Sequence, residues 1–300
     1  MKNIVRDFKK HKYKYLLVIP VVIYFILFHY KSMYGIIIAF KDYIPSKGIA
    51  NSRWVGTYHF TRFFKDPYFW QILRNTFSIS ILTLVFSFPA PIILALMLNE
   101  VKVSWFKRTI QTITYMPHFI ALVVVCGLIN GYCQSNGMFN DIIEIFGGER
   151  RNLLADPELF YPIYILSGIW QNIGWGSIIY LAALAGIDQA QYEAARVDGA
   201  SRLRQIWHIT LPGIMPVISM RLIMNLGSIL SVGYEKILLL YQPLTYEVAD
   251  VISTYVYRKG LENADYSYST AVNLFNSLIN IIFLLSANRI SKKMGQSGLF

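Results

Sequence analysis

Charge is scarce in this chain of 300 residues. Asp, Glu, Lys and Arg make up 15% of it, while 55% is hydrophobic and the mean hydropathy is +0.41. Soluble domains carry about 25% charged residues, so a single soluble core is excluded as the main architecture. Cysteine is nearly absent as well. Cys126 and Cys133 are the only two, seven positions apart in one apolar run, which puts them on one helix face and too far apart to bridge. No disulfide framework or metal cluster follows. Also missing are Gly-x-x-x-x-Gly-Lys-Ser/Thr, His-Glu-x-x-His and Gly-x-Ser-x-Gly, so nucleotide-cradling loops and the common metalloprotease and hydrolase motifs are excluded. Aromatic residues, by contrast, are plentiful: 19 Phe, 21 Tyr and 6 Trp rule out intrinsic disorder. The net charge of +11 would suit a nucleic-acid partner, but the polar body on which such proteins carry their bases is not there.

What the chain does have is long apolar runs, at 15–30, 76–98, 112–133, 159–187, 213–234 and 266–288, all but the fifth free of Asp, Glu, Lys and Arg. A membrane helix needs about 20 mostly apolar residues, and a central charge costs roughly 2.5–3.5 kcal/mol. The runs therefore predict an all-α membrane protein with six transmembrane helices, at about 15–34, 76–98, 112–133, 160–184, 213–234 and 266–288. Prolines 20, 89, 91, 117, 162 and 216 would break soluble helices but are tolerated in packed membrane bundles. The basic head, 1–14, resembles the start of a secretory signal, but no small-residue cleavage site follows, which predicts an uncleaved first helix ending near an interface at His29-Tyr30-Lys31. Six spans put both termini on one side. The connections on that side (1–14, 99–111, 188–212, 289–300) hold 15 Lys/Arg against 5 acids, whereas 31–75, 134–158 and 235–265 hold 12 against 12. The bias places both termini, including the tail 291–300, in the cytoplasm, although loop 31–75 dissents with seven bases and two acids.

The cytoplasmic loop 188–212 reads as a short helix, a glycine break and a second helix. Glu193, Ala194, Ala195 and Arg196 are helix formers, Asp198-Gly199 ends them with a residue able to adopt the left-handed conformation, and Leu211-Pro212 is expected to stop the second piece. The small alanines leave a flat surface suited to docking into a partner's cleft.

This loop closely resembles the EAA motif of binding-protein-dependent ABC importer permeases. The matching positions are Glu193, Ala194, Ala195, Asp198, Gly199, Ala200, Ile209, Leu211, Pro212 and Pro216. Where the family usually has Phe, this chain has Ile206 with Trp207 beside it, and either side chain could fill the corresponding apolar slot. The stretches 88–91, 98–100, 111–119, 34–43 and 233–240 resemble the carbohydrate-uptake, maltose-type branch, in particular LplB-type permeases. The resemblance implies the type I ABC importer permease fold in the bacterial cytoplasmic membrane, with 188–212 as a coupling loop moved by an ATPase. It further implies a second homologous permease, two cytoplasmic ATP-binding subunits, and an extracellular, lipid-anchored solute-binding protein delivering oligosaccharide. ATP and Mg belong to the ATPase partner; no cofactor or metal is expected on this chain, which is a transport subunit and not an enzyme.

Polar residues within the runs are candidates for the substrate pathway. Gln171 and Asn172, flanked by Trp170 and Trp175, suit sugar hydroxyls and C–H faces, or else hydrogen bonding between helices. Asn273, Asn276 and Asn280 form one stripe at i, i+3 and i+7 that lines a pathway or holds helices together. Arg221, with Asn225 one turn further in, either faces the pathway or snorkels back to the interface. His118 after Pro117 reads as a helix-end hydrogen-bonding group. In the outer loop 235–265, Tyr241, Tyr246, Glu247, Tyr255 and Tyr257 are candidates to touch the binding protein by family analogy, or form an interfacial aromatic belt. The competing class is a self-sufficient secondary transporter, which would show inverted repeats and intramembrane carboxylates; neither is found.

Overall fold

A computed structural model describes residues 11–293, 295, 298 and 299. The basic positions 1–10 and the tail positions 294, 296, 297 and 300 lie outside the described residues. The described chain is almost entirely helical, with one short antiparallel pair, β1 (Lys41–Asp42) and β2 (Arg53–Trp54). Helices long and apolar enough to cross a membrane are α1 (Lys12–Phe40), α2 (Phe69–Glu100), α7 (Arg202–Leu226) and α9 (Tyr266–Lys293). Two bent pairs bring the number to six if each counts as one span. The first joins the segment Ser104–Phe119, which opens with α3 (Ser104–Tyr115), to the segment Leu122–Ile145, which opens with α4 (Leu122–Cys133), at a 98° bend. The second joins α5 (Pro157–Ala185) to α6 (Gln189–Val197) at 71°. A short helix α8 (Tyr234–Leu240) follows α7.

The helices depart from the apolar runs in informative ways. α1 continues through Lys31 to Phe40, past the expected end at 34, and α2 begins seven residues before 76. The run 112–133 is not one helix: Pro117 sits in a tight turn, Ile120 and Ala121 are extended, and α4 leaves in a new direction. Proline supplies no backbone N–H and forces the chain out of the helical path. At 213–234 the helix ends early, at Leu226. It also starts earlier, because Leu211-Pro212 does not stop it: α7 runs from Arg202 through Pro212 as one helix. A widened π-turn at Ile206–Thr210 sits just before Pro212, and another at Thr83–Ser87 just before Pro89 in α2. Each adds a residue to the turn where the proline ring would strike the carbonyl four positions back, so the helix passes through. α9 reaches Lys293, into the expected tail.

The chain divides into two compact units. Among the described residues, the first comprises 11–66 and 256–275. Around buried Phe63 pack Tyr268 at 6.3 Å and Phe275 at 5.4 Å between ring centroids. Arg62 pairs with Asp265 at 2.7 Å and lies over the Tyr268 ring, whose hydroxyl donates to Asp66 at 3.1 Å. The dissenting positive loop thus carries part of its charge in a built ion pair.

The second unit comprises 67–255 and the described residues from 276 onward. Its largest core gathers Ile79 of α2, Val125, Cys126, Ile129 and Cys133 of α4, Phe160 and Ile165 of α5, and Ile237 and Leu240 of α8. The segment 235–255 is therefore no solvated loop. Asn75 of α2 donates to the carbonyls of Glu247 and Asp250, Thr76 accepts from the Ile252 amide, and Tyr161 of α5 donates to the Val248 carbonyl. A second core, with Ala95, Tyr180, Leu184 and Ile214, joins α2, α5 and α7. Gly174 lets α5 cross α3 backbone to backbone, because a Cβ there would strike the Thr114 carbonyl; one at Gly176 would meet Pro91 at 2.9 Å. Gln171 and Asn280 bridge the broken ends. Gln171 donates to the Ile120 carbonyl at 3.3 Å, and Asn280 accepts from the Leu230 amide at 3.0 Å while donating to Ser231.

Candidate functional site

Two places in the second unit stand out. The first is the helical turn between α5 and α7. Asp188 caps α6 by accepting from the Ala190 amide at 3.0 Å. The helix ends as a Schellman turn: Gly199 adopts φ 73°, its amide donates to Arg196, and the Ala200 amide reaches back to Ala195 at 2.9 Å. Gln205 donates to the Ala200 carbonyl, the Tyr192 and Thr210 hydroxyls meet at 3.0 Å, and Arg202 pairs with Glu100 at the end of α2 at 2.9 Å. The turn is fixed from inside and bare outside. Val197, Leu203 and Trp207 are 88%, 71% and 68% exposed. Glu193 and Ala194 are exposed, Ala195 is half-buried, and the Glu193 side chain makes no hydrogen bond or ion pair among the described residues. Ile206 is half-buried, so Trp207 is the side chain on offer. Leu211 and Pro212 belong to α7 and carry the turn straight into the bundle.

The second place is a cavity of about 430 Å³. Three polar stripes line it: Ser80, Thr83 and Ser87 of α2; Asn172, Gly176 and Tyr180 of α5; and Arg221, Asn225 and Ser228 of the α7 end. Each runs at i, i+3 or i+4, and i+7 or i+8, one helix face. Tyr164, Trp175 and Gly233 also line it, with apolar Leu84, Phe88, Pro91, Ile229 and Val232 and with Ser231. Ser80 donates to the Ile229 carbonyl. His118 lies flat on Trp175, 4.7 Å between ring centroids at 5°, and its Nδ1 is 3.1 Å from Asn172 Oδ1. It thus does more than finish a helix, since it holds two wall residues in place. The size and mixed lining suit a small-molecule site.

Of the sequence candidates, Asn172, Trp175, Arg221 and Asn225 line this cavity and Trp170, Gln171, Asn273, Asn276 and Asn280 do not. Trp170 is about half exposed, Gln171, Asn276 and Asn280 are buried and Asn273 is exposed. The stripes of α2 and the tyrosines of α5 were missed, although the spacing of Ser80, Thr83 and Ser87 repeats the rule applied to the asparagines of α9. On the segment after α7, Tyr255 is 2% exposed and cannot meet an outside partner. Tyr241 and Tyr246 are half-buried against each other at 4.6 Å, and Tyr257 is half-buried, whereas Glu247 and Leu244 are exposed. No group of three or more His, Cys, Asp or Glu able to hold a metal exists among the described residues.

The profile of the family described as "Binding-protein-dependent transport system inner membrane component" matches residues 87–296, which includes the turn and all of the cavity lining from Ser87 onward. The chain belongs to this family. The permease is 47% identical to the polygalacturonan/rhamnogalacturonan transport system permease protein YteP of Bacillus subtilis, over 97% of this chain and 91% of that one. It is equally similar to the protein LplB of the same organism, at 47% over 97% and 92%. A chain of a bacterial alginate ABC transporter, solved in complex with an alginate pentasaccharide-bound periplasmic protein, superimposes with a TM-score of 0.91. It is 44% identical, and the match covers 98% of this chain and 99% of that one. The permease is therefore a helical, multi-pass protein of the bacterial inner membrane, the permease component of a binding-protein-dependent ABC importer.

Proposed function

We propose that the permease forms half of the translocation pathway of an oligosaccharide importer, with six spans, each bent pair counting as one, and both termini in the cytoplasm. A second homologous permease completes the pathway. Two cytoplasmic ATP-binding subunits, which carry ATP and Mg, drive it through the turn at Gly199, and an extracellular lipid-anchored binding protein delivers the sugar. The distribution of basic residues supports the orientation, since it puts the turn on the side where ATP is. The names of the relatives, which speak of polygalacturonan, rhamnogalacturonan and alginate, support an oligosaccharide cargo. The segment bearing Leu244 and Glu247 is then the face that meets the binding protein.

The observation that carries this reading is the exposed triad Val197, Leu203 and Trp207 on a turn locked from within. A membrane-proximal apolar patch on a rigid support is what a docking helix presents, and an aromatic at its centre carries most of the binding energy. Trp207→Ala is expected to weaken binding of the ATP-binding subunits by about 2 kcal/mol or more, roughly thirtyfold in Kd, measured by titrating purified subunits onto the permease pair in nanodiscs. Glu193→Lys is expected to lower sugar-stimulated ATPase activity in the same complex. Wild-type affinity for Trp207→Ala together with wild-type stimulation for Glu193→Lys would remove the turn from the coupling path.

A further inference from the structure

Among the described residues lining the cavity, Arg221 is the only one that carries a charge. Every other wall side chain is a hydroxyl, a carboxamide, an indole or apolar. Arg221 is half-buried, faces the same cavity as the Tyr180 phenol, and is in no ion pair among the described residues. A guanidinium has five N–H donors arranged as a fork, more than one phenol oxygen can engage. A second cation stands behind the wall. Lys236, 8% exposed, has its Nζ 4.6 Å from the centroid of the Tyr164 ring and donates to the Tyr164 carbonyl at 2.7 Å, again with no ion pair among the described residues.

An arginine in a cavity without a carboxylate in its lining, with a buried lysine behind the wall, is an unusual expense for a membrane protein. Intramembrane charges are normally paired, and an arginine left open marks the place of a ligand's counter-charge. The fork fits a carboxylate in two parallel hydrogen bonds, which a neutral hydroxymethyl group cannot reproduce. Asn225 and Ser228, on the same face of the chain and further along it, supply groups for the neighbouring hydroxyls of a sugar ring.

We propose that Arg221 binds the carboxylate of a uronic-acid unit in the cavity and so selects acidic over neutral oligosaccharides at the permease itself. The proposal rests on the reading of the cavity as part of an oligosaccharide pathway. Its test uses the complete complex, with partner permease, ATP-binding subunits and binding protein, in proteoliposomes containing Mg-ATP. Uptake of trigalacturonate is compared with that of its carboxyl-reduced, neutral trisaccharide.

Arg221→Gln is expected to lower kcat/KM for trigalacturonate at least tenfold, and Arg221→Lys, which keeps the charge but loses the fork, by a smaller factor. Asn225→Asp leaves Arg221 in place but neutralises it from one turn away, and is expected to match Arg221→Gln; it keeps the test open should Arg221→Gln fail to assemble. Wild-type uptake of trigalacturonate by Asn225→Asp overturns the assignment. So does an equal fall, in Arg221→Gln, of the uptake of the neutral trisaccharide, which would mean that what is lost is not carboxylate recognition. A wild-type complex that imports the neutral trisaccharide and refuses trigalacturonate also overturns it while leaving the pathway reading intact. Import of neither sugar overturns the pathway reading instead.

Discussion

Gly199→Pro is expected to abolish ATP-driven sugar uptake by the assembled transporter while the permease still reaches the membrane. Gly199 sits at φ 73°, which the proline ring, fixed near −65°, cannot adopt. The substitution also removes the amide that donates to Arg196 at 3.1 Å. The Schellman turn must then open and α6 must leave its place beside Thr210. A proline forced into such a position costs about 3 kcal/mol or more, and at 1.4 kcal/mol per decade that reduces the docking-competent turn roughly hundredfold. The lesion is confined to an exposed turn, so the two cores remain. Sugar-stimulated ATPase activity and uptake should fall together. Gly199→Asn, which tolerates the left-handed region, should retain most of both. Equal activity in the proline variant and the wild type would show that the turn does not need its present shape to couple.

The second large effect is structural. Gly174→Val is expected to prevent α5 from seating against α3, because the added Cβ meets the Thr114 carbonyl and lies 2.8 Å from the Tyr115 ring. Backbone cannot rotate away as a side chain can, so the two helices must part. Overpacking of this kind costs about 1–3 kcal/mol even where side chains can yield, and the whole fold is held by only about 5–15 kcal/mol. Loss of the folded protein from detergent extracts, or a collapse in its melting temperature, is the expected readout. Gly131→Ala, in α4 with nothing within 4 Å of the new methyl, serves as the comparison and should melt like the wild type. A Gly174→Val protein that melts with it would remove the close crossing as a determinant of the fold.

Composition made the membrane class legible, and local chemistry made the turn at Gly199 legible, because Asp198-Gly199 after a helix-forming stretch has few other outcomes. Arg221 and Asn225 could be named from their spacing, but their facing could not, since a snorkelling arginine and a cavity arginine have the same neighbours in the chain. Helix ends were the harder part. Pro212 read as a stop because the π-turn at Ile206–Thr210 that accommodates it leaves no mark in hydropathy. Leu226 read as mid-span because what ends α7 comes from a distant segment, where Asn280 takes the Leu230 amide. Tyr255 read as a surface contact because its tyrosine-rich neighbourhood looks like an interfacial belt, although Asn75 and Thr76 draw the adjoining residues into the core.

The continuity of α7 has a mechanical meaning. Its 25 residues, at 1.5 Å each, make a rod of about 37 Å with Trp207 near one end and Arg221 toward the other. A tilt of about 5° pivoting at Trp207 would swing the Arg221 position, about 21 Å away at that rise, by nearly 2 Å. That is enough to make or break a hydrogen bond. Under the proposed docking at Trp207, no relay of side chains would be required between the two ends, provided the helix moves as one body through Pro212 and Pro216.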